Sequence, residues 1–459
     1  MFHIIAINEL INILINRLVI DIIKVFKRIT FVFNSFFIIL SELFLFTIKK
    51  DFTLFVDNLT YRLSLINILY VKIFQAIALN HNLIDDKINN KLLKFTDNAP
   101  WSYSDIRLDE LIEISNKYNI IFEGGYEKPI NSGMISLVFK GQLLHKSSMI
   151  PIIIKMKRNN IEDNLNDAID NLQFLINILE WFTLFDKYNI SELVNKNIDI
   201  ILKQTNFKEE VDNMIKIKKN CKNIKYVKIP DVYTEVTKEY PNFIMMEYIN
   251  GLKIHQIEET DYYGFAKQVL KFGFVSTIVH GVTHGDLHSG NILFIKDEND
   301  EKYKYKIGVL DFGIIYELDN EYKVSLFELL TEMFTIPVKE AAIKLLDSVI
   351  IKPSGILSKL QKEDYENIVN MLSVILNDTI HVSKKANQIQ IYKFLSSFKD
   401  YVMKPEISNL GIKLSDNFVK TQLVLAMAHG ITLTLCKDNF MELADTVINE
   451  LFHTNLIDI

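Results

Sequence analysis

The sequence predicts an α+β fold of two lobes, a small β-rich N-lobe and a helical C-lobe, with an added N-terminal helical extension. Three observations carry this. The first 99 residues contain neither glycine nor proline, the residues that punctuate helices. From residue 119 to 250 the texture changes to short β-rich runs with turn residues, among them GGYEKP, SLVFKGQLL, MIPIIIKM and FIMMEYI. Twelve of the fifteen glycines then fall between Gly124 and Gly313, so backbone freedom is concentrated in one stretch of an otherwise helical chain.

In order along the chain, residues 1–60 are apolar helices, a membrane anchor or a pair buried against the rest of the chain. Thr30 to Ile48 has the length of a bilayer span and one charge, Glu42, with Lys27 and Arg28 before it and Lys49 and Lys50 after. Ile4 to Phe26 carries scattered charges and reads as an interfacial helix. Residues 61–118 continue the helical extension, and 119–250 form the β-rich lobe with a helical insertion from about Asn164 to Asn220. Residues 251–459 form the helical lobe, apart from a loop-rich stretch between His280 and Tyr316.

Composition removes several functions. Apolar residues make up 49% and charged residues 24%, which excludes a disordered chain, and the low glycine and proline content excludes collagen-like and low-complexity classes. A formal charge of −6 without long like-charge runs gives no nucleic-acid arm. Two cysteines, Cys221 and Cys436, build neither a disulfide framework nor a zinc site, so a reducing or cytosol-facing position is the default.

The sharpest chemical signal is THGDLHSGNILF, residues 283 to 294. Asp286 and Asn291 stand five apart, the spacing at which one loop presents a carboxylate to a substrate hydroxyl and, a turn later, an amide oxygen to Mg²⁺. Downstream, KIGVLDFGI ends an apolar strand at Asp311, where a carboxylate can bridge Mg²⁺ to the β- and γ-phosphates of ATP while Gly313 lets the chain turn. Upstream, a buried-strand pattern ends in Lys155, an ammonium for the α- and β-phosphates. Glu209 and Glu210, adjacent on a predicted helix, offer one carboxylate to orient it. FIMMEYINGL reads as a strand entering a connector between lobes, where backbone groups of Glu247, Tyr248 and Ile249 would meet adenine, with Met246 behind.

This order of elements resembles the protein-kinase-like superfamily, and within it the UbiB-like atypical kinases, also called aarF-domain kinases, associated with ubiquinone biosynthesis. The resemblance runs from about residue 65 to about residue 445. VKIFQ is similar to the family's K-x-G-Q signature, with Lys72 and Gln75 retained and Phe74 where glycine is usual. FTDNAPW resembles the segment after it, KPINSGMISLVF the alanine-rich phosphate loop with Ser132 and Gly133, and IIIKMKRNNI the lysine strand. QTNFKEEVDN resembles the F-x-x-E-x-x-N helix and selects Glu210 as the partner of Lys155.

The resemblance implies a bilobal protein-kinase-like fold, ATP and Mg²⁺ as cofactors, Asp286 as catalytic base and Asn291 and Asp311 as metal ligands. The acceptor stays open between a lipid, a quinone precursor and a protein. Gln204 and Asn206 stand where the family has acidic residues, so an ion pair to Lys72 becomes at most a neutral hydrogen bond to Gln204. Gly133 in place of alanine implies extra backbone freedom at the phosphate loop. Two other readings stand beside this one: a small-molecule kinase of the aminoglycoside or choline phosphotransferase type, and a nucleotide-binding pseudokinase scaffold. TQLVLAMAHGITLTL resembles a family helix without an assigned catalytic role.

Overall fold

A computed structural model describes residues 2–67, 69–70, 99–145, 148–180, 198–332, 335–380 and 412–453. The chain divides into two compact units, one of Met1–Glu209 with Val232–Tyr248, the other of Glu210–Asp231 with Ile249–Ile459.

In the first unit, β1 (Ile120–Phe122), β2 (Asn131–Ser132), β3 (Ser136–His145), β4 (Ser148–Lys157) and β6 (Phe243–Glu247) form one sheet. It is antiparallel throughout, in the order β1-β3-β4-β6, with β2 paired to β3. Alternation on β4 sends Ile152, Ile154 and Met156 into a core with Leu137, Phe139, Phe243 and Met245, all almost fully buried. Leu111 and Ile114 of the helix Leu108–Tyr118 close that core. The helix stops at Asn119, whose left-handed φ of 54° suits an asparagine. Gly141 is needed where β1 crosses β3, because a Cβ there would stand 3.0 Å from Ile120 Cγ2 and 3.1 Å from the Ile121 carbonyl.

On the other side of this unit, Leu165, Ile169, Leu172 and Ile176 of the helix Ile161–Glu180 pack with Met134 and Ile135. The apolar N-terminal region is one uninterrupted helix, Phe2–Lys49, rather than two, followed by Phe52–Ile66. With neither glycine nor proline between Ile4 and Ile48, no backbone breaker divides it.

In the second unit, β5 (Val227–Lys228), β9 (Tyr305–Val309) and β8 (Ile292–Lys296) form a three-stranded sheet, and β7 (Val282–His284) pairs with β10 (Ile315–Glu317). Strands therefore occupy much of the stretch that reads as loops in the sequence. At two to five residues each, they are too short for alternation to register. The helix Tyr262–Phe274 continues as a π-helical turn, Val275–His280, and ends at Gly281 with φ 64°. The helix Asp416–Leu435, which contains the whole TQLVLAMAHGITLTL segment, lies against it. Gly273 allows this close approach, since a Cβ there would come within 2.6 Å of Ala428 Cβ. Helices Val338–Leu345 and Lys362–Ile380 share a separate core of Ala342, Leu346, Ile368, Val369 and Leu372.

Candidate nucleotide site

Lys155 sits near the end of β4, in register with Val138 on one side and Ile244 on the other. Pleating turns it away from Ile154 and Met156 and toward the ring of Phe207, 5.6 Å from its Nζ. Lys157, two residues on, lies at the same distance from that ring and pairs with Glu162 at 2.8 Å. Both lysines are buried, at 9% and 8% exposure, and the carboxylate that meets Lys157 sits on the helix Ile161–Glu180.

The phosphate-loop candidates are held by Arg158, which no sequence motif singles out. Arg158 is 4% exposed, and its Nη1 donates to the Pro100 carbonyl at 2.8 Å while Nη2 donates to the Gly133 carbonyl at 2.7 Å. Its Nη1 also pairs with Asp105 at 3.3 Å, and its backbone N–H donates to the Ile135 carbonyl. One guanidinium therefore ties the APW segment, the loop around Gly133 and the end of the lysine strand together. A single arginine after Lys155 and Lys157 carries no periodicity or spacing that would single it out.

Ser132 is committed to the same latch. Its hydroxyl donates to the Ala99 carbonyl at 2.7 Å, and the Ala99 N–H donates back to the Ser132 carbonyl at 2.8 Å. Gly133 has no left-handed φ, and a Cβ there would meet only Ser136 atoms at 3.7 Å, an ordinary contact. The extra freedom expected of glycine over alanine at this position is not used; alanine fits the same backbone. Lys72 and Gln75, with Phe74, lie outside the described residues.

At the connector, Glu247 ends β6 opposite Ile152, and the Tyr248 N–H donates to the Pro151 carbonyl at 3.2 Å. The Lys140 ammonium lies 4.5 Å from the Tyr248 ring centre. The division between the units falls after Tyr248, and Ile249 is buried in the second unit, where its Cγ2 would stand 3.0 Å from a Cβ at position 308, held by glycine.

In the second unit, Glu210 and Asn213 lie three apart on the helix Phe207–Asn220. Glu210 is 1% exposed, while Glu209 is exposed near the Asn206 amide. Asn206 caps this helix by accepting the Glu209 N–H at 3.2 Å, a role that asparagine fills as well as an acid. Lys155 and Glu210 fall in different units.

The loop carrying Asp286 is organised by His284, fully buried. Its Nδ1 accepts the Asp286 N–H at 3.1 Å, which places the ring proton on Nε2 to donate to the Leu310 carbonyl at 3.0 Å. Burial pushes the pKa of His284 below its ordinary value, and a second ring proton would face the Asp286 N–H. Gly285 is obligatory: a Cβ there would stand 2.5 Å from Ile314 Cγ2, and its N–H donates to the Ile314 carbonyl. Asn291 donates its side-chain N–H to the Asp286 carbonyl at 3.0 Å, leaving the amide oxygen as the atom to offer a cation. The Leu310 N–H donates to the Asn291 carbonyl, setting Asp311 directly beside that loop.

Asp311 has φ 56°, a left-handed conformation that aspartate tolerates better than most residues, and its carboxylate accepts the Gly313 N–H at 3.2 Å. The sharp turn expected at Gly313 is therefore made at Asp311, since Gly313 has no positive φ. Next to it Phe312 is fully buried, 5.5 Å from the His284 ring, and its carbonyl accepts from Asn213 at 3.0 Å. Asp286, Asn291 and Asp311 are thus brought to one loop network, with His284 and Asn213 as its supports. Among the described residues no three His, Cys, Asp or Glu side chains form a self-sufficient metal site. One carboxylate and one amide oxygen are a donor set for a hard cation that takes its remaining ligands from phosphate and water.

The family model described as the ABC1 atypical kinase-like domain matches residues 96–344. A probable protein kinase UbiB of Shewanella is 26% identical over 261 residues, 55% of this chain and 47% of that protein. A probable serine/threonine-protein kinase, abkB, of Dictyostelium discoideum is 25% identical over 68% of this chain and 48% of its own length. A chloroplastic protein of Arabidopsis thaliana named Activity of BC1 complex kinase 7 is 21% identical over 66% of this chain and 43% of its own length. The chain thus spans about half the length of these curated relatives. Among solved structures, the Rv3197–erythromycin complex of Mycobacterium tuberculosis overlays with a TM-score of 0.47 at 12% identity, covering 79% of this chain and 87% of that one. The Rio2 kinase of Chaetomium thermophilum overlays at 0.27 and 11%, covering 72% and 93%.

Proposed function

The chain belongs to the ABC1 atypical kinase-like family, and from that premise we propose that it binds ATP with Mg²⁺ and transfers or hydrolyses the γ-phosphoryl group. The observation that carries the proposal is the single network joining Asp286, Asn291 and Asp311 through His284 and the Leu310 backbone.

Asn291 and Asp311 would hold Mg²⁺, which when bound neutralises charge on the phosphates. Asp286, its backbone fixed by His284 and Asn291, accepts the proton of an acceptor hydroxyl or water. Lys155 aligns the α- and β-phosphates and Glu210 orients Lys155, a pairing that brings one residue from each unit. Backbone groups of Glu247, Tyr248 and Ile249 take the adenine, and the loop at Gly133 approaches phosphate. Lys72 and Gln75 are proposed to lie near the phosphates by the family resemblance alone.

Membership disfavours the aminoglycoside and choline phosphotransferase reading. The pseudokinase reading rests on Gln204 and Asn206, and the capping role of Asn206 shows that one of these departures serves the helix. Single-turnover reactions with γ-labelled ATP decide: ADP forms with wild-type protein and is lost in Asp286→Asn. No ADP despite measurable Mg-ATP binding would reduce the protein to a nucleotide-binding scaffold.

A further inference from the structure

The helix Phe2–Lys49 is amphipathic in the inverted sense between Ile22 and Ile48. Its buried residues, Phe31, Ser35, Ile38 and Glu42, recur at spacings of four, three and four, one seam of a helix. That seam is fastened to the rest of its unit. Phe31 stacks on Tyr70, Glu42 pairs with Arg62 at 2.6 Å, Arg28 pairs with Asp170 at 2.6 Å, and Lys27 pairs with Asp167 at 3.2 Å. The segment's charged residues are Lys24, Lys27, Arg28 and Glu42, and by helical register all four lie on the seam side.

The opposite arc is apolar and outward. Phe26 is 71% exposed, Phe33 68%, Phe44 64%, Leu40 63% and Ile48 63%. Surface helices in water place charge outward and apolar residues inward, so this arrangement does not suit water. At about 1.5 Å per residue the outward stripe runs for about 40 Å. It is flanked by cations, with Lys24 and Lys27 toward one end and the exposed Lys49 and Lys50 at the other.

We propose that this face lies in the plane of an anionic bilayer leaflet, with its aromatic and aliphatic side chains in the acyl boundary and the lysines of the seam side and of the two ends reaching the headgroup layer from above. The segment is long and apolar enough to cross a membrane by composition. Spanning, however, would either drag the body helix Ile161–Glu180 with Asp167 and Asp170 into hydrocarbon or break both ion pairs, and would carry the Glu42–Arg62 pair inside. Lying flat keeps all three. A bilayer supplies both the hydrocarbon and the anionic headgroups that the stripe and its ends call for. This inference stands apart from the nucleotide reading and survives its failure.

The test uses the full chain with vesicles of phosphatidylcholine and phosphatidylglycerol. Wild-type protein should float with the vesicles, and Phe33→Glu/Leu40→Glu should lower the partition by about ten-fold or more. A Phe33→Leu/Leu40→Met protein, which keeps the face apolar, should float like wild type and so separates loss of the face from misfolding. Single cysteines at Lys24→Cys and Lys49→Cys, read against the background of the two buried native cysteines, should both react with an impermeant maleimide added outside. Labelling of one site alone means a span and overturns the proposal. So does failure of wild-type protein to float, flotation unchanged in the double glutamate variant, or a dimer in solution that the variant dissolves without any vesicle binding.

Discussion

The side-chain amide of Asn213 donates to the carbonyl of Phe312 at 3.0 Å, so the helix that carries Glu210 also grips the backbone next to Asp311. Asn213→Ala removes the donor and leaves the rest of the helix intact. The expected loss is about 1 kcal/mol in urea unfolding. Stabilisation by Mg-ATP should fall as well, because Asp311 loses a neighbour that fixes its peptide. Unchanged values for both would make the contact incidental.

Acid sensitivity follows from His284. Burial lowers its pKa in the folded protein, while the unfolded chain regains the ordinary value of 6.5. Below that pH the unfolded state binds a proton that the native state does not. Stability is therefore present above about pH 6.5 and declines as pH falls toward the depressed native pKa. One such group steepens the dependence by at most about 1.4 kcal/mol per pH unit. His280, lowered by burial and then by Lys323, acts in the same direction. His284→Gln should destabilise at every pH and flatten the slope between pH 6.5 and 5 by up to one proton. An unchanged slope would show that His284 does not titrate on unfolding.

Arg158 is expected to matter more than its sequence context suggests. Arg158→Ala leaves the Pro100 and Gly133 carbonyls and Asp105 without their shared donor, at a cost of about 3 kcal/mol. Arg158→Lys restores the charge without the fork, so it should recover part of the stability but little of the affinity for Mg-ATP. Full recovery of both by lysine would mean that charge alone, not the joining of three segments, is what Arg158 supplies.

The comparison of sequence and structure shows what is legible and why. Asp286, Asn291 and Asp311 stand out because their chemistry fixes both residue type and spacing. Their supports are legible only in part: His284 and Asn213 fall inside the THGD and F-x-x-E-x-x-N patterns, but neither their donation to backbone carbonyls nor that of Arg158 leaves a pattern in side-chain type. Glycine was the better guide at Gly285, where Ile314 crowds the position, than at Gly313, whose neighbour Asp311 takes the left-handed turn itself. The N-terminal region was legible as helix because it lacks breakers. Which arc faces the protein was not, since Glu42, the residue most adverse to burial, is on the buried seam.

The central claim, a Mg-nucleotide site built on Asp311, is tested most directly by thermal unfolding with ATP and Mg²⁺ in wild-type and Asp311→Asn proteins. Asparagine tolerates the left-handed backbone at this position, so the variant keeps the turn and removes the charge. The wild-type Tm should rise with Mg-ATP and fall back on chelation, and Asp311→Asn should lose most of that rise. An equal rise in both proteins would contradict the assignment.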